Sequence, residues 1–208
     1  MKIIIFGATG GTGQALVKQA LEKGHTVTVL ARNPEKVEIR HANLSVIKGD
    51  VLDTASVEKA IAGHDAVLVA LGVKPPSRAV VVGPGTKNII NAMKKHDIKR
   101  LIVESAMFMD DTVRKNSFLI SILTKTFMKG LYADKLVQEA TIRESDMEWV
   151  IIRPVGLTNG PKTEIYRFGE SLKLKGISPT ISRADVADFM LKQLNSNTNI
   201  HKAVLVAN

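Results

Sequence analysis

The run GATGGTG at residues 7–13 constrains this chain more than any other feature. It follows the β-branched run Lys2–Phe6 without a gap. It then opens an amphipathic stretch, Thr12–Lys23, that carries Leu16, Val17, Ala20 and Leu21 on one face and stops before Gly24. Strand, glycine turn and helix in that order predict the first half of a βαβ unit. Glycines at 7, 10 and 13 suit three demands: a tight turn, a backbone that an anion can approach, and a helix packed close on its strand. Free N–H groups at the start of such a helix bind phosphate. The turn therefore predicts a dinucleotide pyrophosphate site made by Gly7, Thr9, Gly10, Gly11, Thr12 and Gly13.

The same beat continues to the end of the chain. Thr26–Ala31, Leu44–Ile47, Ala66–Ala70, Arg100–Val103, Trp149–Ile152 and Ala203–Val206 have the composition of strands. Thr54–Ala62, Thr86–His96, roughly Leu119–Arg143 and Arg183–Leu194 have that of helices, the last opened by Ser182 as N-cap with Asp185 three residues on. Alternation of this kind predicts an α/β fold: a Rossmann-like, doubly wound parallel sheet with helices on both faces, one domain over residues 1–208. Three stretches interrupt the beat: 73–85, 106–131 and 156–180. They follow strand ends, where open α/β sheets place their ligands, and are expected to wall the substrate site.

Composition removes several alternatives. With 45% hydrophobic and 24% charged residues the chain has no disordered, collagen-like or coiled-coil character, and with no Cys it has neither disulfides nor a thiolate nucleophile or metal site. A formal charge of +9 brings nucleic acid into consideration. However, the basic residues are scattered and aromatic stacking platforms are scarce at 4%, so an anionic small molecule is the expected partner. His25, His41, His64, His96 and His201 lack metal-ligand spacing, and no metal is expected. The apolar run at the N-terminus is too short for a signal peptide, and Ser117–Met128 is interrupted by Lys125 and too short for a membrane span, which makes the cytoplasm the default address. The apolar stretch Phe118–Leu123 leaves monomer and homodimer both open.

The second strand ends Leu30-Ala31-Arg32-Asn33, where an NAD site usually has a carboxylate for the ribose 2′-OH. A guanidinium there suits a 2′-phosphate, so Arg32 predicts NADP(H); the alternative is a solvated Arg before Pro34.

The glycine spacing is GxxGxxG, not GxGxxG, which points toward short-chain reductases. Together with VLARNPEK (29–36), KGDVLD (48–53), HDAVLVALG (64–72), VESA (103–106), RPVGLTNGP (153–161) and SRADVADFM (182–190), it resembles the atypical short-chain dehydrogenase/reductases, in particular the NAD(P)H-binding group that includes biliverdin-IXβ/flavin reductase. The resemblance spans essentially the whole chain. It implies Asp50 and Val51 along the adenine, Leu71 and Gly72 beneath the ribose and pyrophosphate, Ser105 beside the nicotinamide, and Pro154 among the cofactor contacts. Asp50 has the alternative, or additional, task of capping the turn before the Thr54 helix.

One departure bears on mechanism. Short-chain dehydrogenases commonly use Tyr-x-x-x-Lys for proton transfer, and this chain has Leu131 four residues before Lys135, with Tyr132 only three before it. Ser105, Lys135 and Tyr132 are the candidate catalytic residues. Either Tyr132 and Lys135 form a displaced acid–base pair, or Tyr132 packs while Lys135 holds the nicotinamide ribose. The expected function is NADPH-dependent hydride transfer to a flavin, quinone or similar conjugated acceptor. The alternative is a non-catalytic NAD(P)-binding redox sensor acting through a protein partner.

Overall fold

The computed structural model describes residues 1–73, 80–116, 122, 124, 126, 128–174 and 179–208. Its strands are β1 (Lys2–Phe6), β2 (Thr26–Ala31), β3 (Leu44–Lys48), β4 (Ala66–Val69), β5 (Arg100–Glu104), β6 (Glu148–Pro154), β7 (Gly156–Thr158), β8 (Arg167–Gly169), β9 (Thr180–Ser182) and β10 (Lys202–Ala207). The helices are α1 (Gly11–Glu22), α2 (Thr54–Ile61), α3 (Val82–Lys95), α4 (Asp111–Asn116), α5 (Lys129–Arg143) and α6 (Arg183–Lys192).

Eight strands form one sheet in the order β3-β2-β1-β4-β5-β6-β10-β8, and β7 and β9 pair separately. β1 lies between β2 and β4, so chain direction across the sheet reverses beside it, and a crevice opens at the carboxyl ends of β1 and β4. Because side chains alternate along a strand, β1 supplies both cores. Ile3 and Ile5 pack with Leu16, Val17 and Ala20 of α1 and Val186 and Met190 of α6. Ile4 and Phe6 pack with Val57 and Ile61 of α2, Ile89 and Met93 of α3, and Ile142 of α5. Parallel strands buried on both faces explain the near-continuous Val/Ile/Leu runs.

The helix ends follow local chemistry. Lys23 ends α1, and Gly24 takes φ +76° to turn the chain into β2. Ser182 caps α6, its hydroxyl accepting from the Asp185 N–H at 2.9 Å. Asp53 caps α2 by accepting from the N–H groups of Ala55 and Ser56.

Three features differ from the sequence-based expectation. The sheet is not wholly parallel, because β8 pairs antiparallel with β10, Val206 opposite Phe168. At three residues, β7, β8 and β9 are too short to show a periodicity. The third helix begins at Val82 instead of Thr86: Pro84 fits a first helical turn, where its missing N–H has no partner to lose. Of the segments expected to wall the site, residues 74–79, most of 117–127 and 175–178 lie outside the described residues, as does Phe118–Leu123 apart from Ile122. Among the described residues no helix is long and apolar enough to cross a membrane.

Candidate active site

The crevice at the ends of β1, β4 and β5 is a cavity of about 570 Å³. Its wall contains Gly7, Thr9, Gly10, Gly11 and Thr12 of the glycine turn, Arg32 after β2, Asp50 and Val51 after β3, Leu71 and Gly72 after β4, Ser105 after β5, and Lys135 of α5. The structure thus brings together residues from six stretches of sequence. Each expected substrate wall contributes as well: Val73 and Val81, then Ala106, Phe108 and Leu131, then Leu157.

The glycines have the distinct environments that a dinucleotide cradle requires. Gly7 has φ +85°, and a Cβ there would lie 2.3 Å from the Ala70 carbonyl oxygen, which locks the turn against the end of β4. A Cβ on Gly13 would lie 2.1 Å from the Gly7 oxygen, so Gly13 serves packing and is absent from the cavity wall. At Gly10 the nearest such atom is 3.4 Å away, and a side chain would project into open space beside the wall. The backbone at Gly10 is therefore exposed for close approach by a phosphate, and the residues present fit the cofactor.

Besides Gly13, two expected residues stand elsewhere. Pro154 is the buried last residue of β6, registered against Val206, and is not on the wall. Tyr132 is not on it either: its hydroxyl accepts from Arg114 and its ring lies 6.3 Å from that of Phe108, while Leu131 takes the wall position. Asp50 has a second task besides lining the cavity, its Oδ1 accepting from the Leu52 N–H at 3.0 Å.

Ser105 and Lys135 sit in a buried polar network with Glu139, Asp110 and Gln138, which no motif contained, and with Glu104 and Arg153, which the motifs contained without a role. The Ser105 hydroxyl donates to Glu139 Oε1 at 2.7 Å, and Arg153 grips the same carboxylate through Nε at 3.1 Å and Nη2 at 2.7 Å. Arg153 also reaches Asp110 Oδ2 at 3.2 Å. Burial pushes the Glu139 carboxyl up, but the hydrogen bond and charge of Arg153, with Ser105 and Arg143, outweigh it and hold the group below its ordinary value. Lys135 Nζ donates to the carbonyl oxygens of Glu104 at 2.8 Å and Leu71 at 3.4 Å and to Gln138 Oε1 at 3.0 Å. Burial lowers its pKa to about 8, against the opposing pull of Glu104, Glu139 and Asp134. Glu104 accepts from the Thr12 hydroxyl at 2.9 Å; burial raises its pKa despite Lys135, Thr12 and Arg183.

A signal for part of this network was present in the sequence. Asp134 and Gln138, and Lys135 and Glu139, are spaced i, i+4 on α5, a polar stripe of the kind that needs buried partners to be stable. Arg183 of α6 also lies on the cavity wall; the motif SRADVADFM contains it, but the sequence assigned it no role.

A family model described as NAD(P)H-binding matches residues 7–197. The chain belongs to this NAD(P)H-binding family. Among its relatives, the uncharacterised protein YwnB of Bacillus subtilis is 28% identical, the match covering 93% of this chain and 92% of YwnB. The 2-alkyl-3-oxoalkanoate reductase of Stenotrophomonas maltophilia is 35% identical over 50% of this chain and 33% of its own. Among solved structures, a short-chain dehydrogenase/reductase from Veillonella parvula in complex with NADP superposes with a TM-score of 0.81 at 20% identity, covering 100% of this chain and 94% of that one. The family match accords with the atypical short-chain dehydrogenase/reductase character of the sequence. It also gives the ligand class of the chain, a nicotinamide dinucleotide.

Proposed function

We propose that the chain is a reductase that uses NADPH to reduce a flavin, quinone or similar conjugated acceptor. The observation that carries this reading is the wall of one cavity: a glycine cradle, Arg32 at the end of β2, and Leu131 where a proton-relay tyrosine would stand. Arg32 favours a 2′-phosphorylated dinucleotide. Without a relay hydroxyl at that position, the acceptor must be one whose electrons delocalise on reduction and whose proton comes from water.

NADPH supplies the hydride when bound, and the protein supplies position. The turn N–H groups receive the pyrophosphate, and Asp50 and Val51 flank the adenine. Ser105 has committed its proton to Glu139, so toward the cavity its oxygen acts as an acceptor, suited to the amide N–H of the carboxamide. Lys135 reaches the nicotinamide ribose by giving up its longest bond, to Leu71. Val81, Phe108, Leu131 and Leu157 form an apolar surface for a planar acceptor. The resemblance to biliverdin-IXβ/flavin reductase supports a conjugated acceptor, and the 2-alkyl-3-oxoalkanoate reductase among the relatives supports reductase chemistry alone.

Oxidation of NADPH, followed by its near-ultraviolet absorbance with FMN, quinones and biliverdin as acceptors, tests the proposal. Turnover with a conjugated acceptor is the expected result. Tight NADPH binding without turnover on any of them would overturn it in favour of a redox sensor.

A further inference from the structure

The glycine turn has a cation above it that comes from the far end of the chain. Arg183 is the first residue of α6, yet its side chain lies across Gly11: a Cβ added there would stand 2.6 Å from Arg183 Cδ and 2.9 Å from Nε. The space that a side chain at residue 11 would need is therefore occupied by an arginine. The residue is half-buried, and its guanidinium is held through Nη1, which donates to Asn159 Oδ1 at 2.7 Å in an exposed hydrogen bond. Among the described residues this is its one hydrogen bond, and it makes no ion pair, so most of its donors remain available.

The other cations of the cavity wall are differently placed. Lys135 directs its donors at Glu104, Leu71 and Gln138, and Arg32 leaves the end of β2, on the flank of the turn away from β4. Neither supplies charge beside Gly11. We propose that Arg183 is a clamp on the dinucleotide pyrophosphate, closing from α6 over an anion held from below by the N–H groups of the turn. A planar, pre-oriented guanidinium is suited to two phosphate oxygens at once. Asn159 holds the clamp in place and belongs to the stretch 156–180, so the clamp also ties that wall of the cavity to the cofactor.

The proposal rests on the cofactor reading above, and a binding measurement separates the two. Calorimetric titration of wild type with NADPH and NADH comes first; failure to bind either would reject the cofactor reading itself. Given binding, Arg183→Gln, which keeps length and packing but not charge, should weaken NADPH and NADH alike by roughly 10- to 100-fold, the range for a charge-assisted hydrogen bond. Arg183→Lys should recover part of that loss. Gly11→Ala, which displaces the arginine, should weaken binding in the wild-type background and add little to Arg183→Gln. Wild-type affinity for both cofactors in folded Arg183→Gln, confirmed by circular dichroism, would overturn the clamp. A loss confined to NADPH would also overturn it, placing the arginine at the 2′-phosphate.

Discussion

At the scale of single residues, two contrasts separate cofactor choice from chemistry. Arg32 is exposed on the cavity wall, and in the proposed reading its guanidinium meets the 2′-phosphate, the group by which the two cofactors differ. Arg32→Ala should weaken NADPH by about 1.5–3 kcal/mol and leave NADH nearly unchanged in the same titration. Equal losses would assign Arg32 a structural role. Ser105 and Tyr132 make the second contrast. Ser105 is oriented by Glu139, which Arg153 holds, and it lines the cavity; Tyr132 does not, and its hydroxyl is paired with Arg114. In the proposed reading Ser105 holds the carboxamide, so removing its oxygen would loosen the reacting geometry, and a displacement of about 1 Å can cost on the order of 10²-fold. Ser105→Ala should therefore lower kcat by more than Tyr132→Phe, which keeps the ring against Phe108. If Tyr132→Phe abolishes turnover and removes the basic limb of the pH–rate profile, the displaced Tyr–Lys pair is the proton relay.

At the scale of elements, α3 starts without a cap of its own. Val81 stands at the N-cap position, and the N–H groups of Val81, Val82 and Gly83 are received by the Asp134 carboxylate of α5 at 2.9, 2.8 and 2.7 Å. A negative charge there also complements the helix dipole. Asp134→Ala strands buried donors and should destabilise the fold by about 3 kcal/mol in urea unfolding, with Asp134→Asn, which keeps one acceptor, costing roughly half. Unchanged midpoints for both would mean that water replaces the carboxylate. This cap illustrates what the sequence could and could not convey. Buried parallel strands such as β1 and β6 are legible because burial on both faces demands an uninterrupted apolar run, and the glycine turn because its conformations are local. Asp134 and Arg183 act on residues distant in sequence, Val82 and Gly11, and neither segment carries a local trace of the other. Three-residue strands such as β8 take their pairing from a neighbour, here β10, and have no pattern to read.

At the scale of the whole molecule, Lys135 joins the ends of β4 and β5 to α5 through one buried ammonium, and that joint is sensitive to pH. Burial lowers the pKa from the ordinary 10.5 to about 8. Between these values the unfolded chain retains the proton that the folded chain releases. Unfolding then takes up protons, so this residue's contribution to stability rises with pH across that window. Two other groups act with the opposite sign. Glu104, raised by burial, makes stability fall as pH rises from the ordinary carboxylate value of 4.5. Tyr166, raised to about 12 chiefly by burial, makes it fall above the ordinary tyrosine value of 10.0. Lys135 is therefore best read between about pH 8 and 10, where it should add about 2 kcal/mol, a sizeable share of the 5–15 kcal/mol typical of a folded domain. Lys135→Met removes the titration while retaining much of the side-chain volume. Urea unfolding of both proteins across that interval should show wild type gaining stability relative to Lys135→Met as pH rises. Parallel curves would mean that the ammonium is hydrated in solution and keeps an ordinary pKa. In that case the joint between β4, β5 and α5 would impose no desolvation cost on the fold.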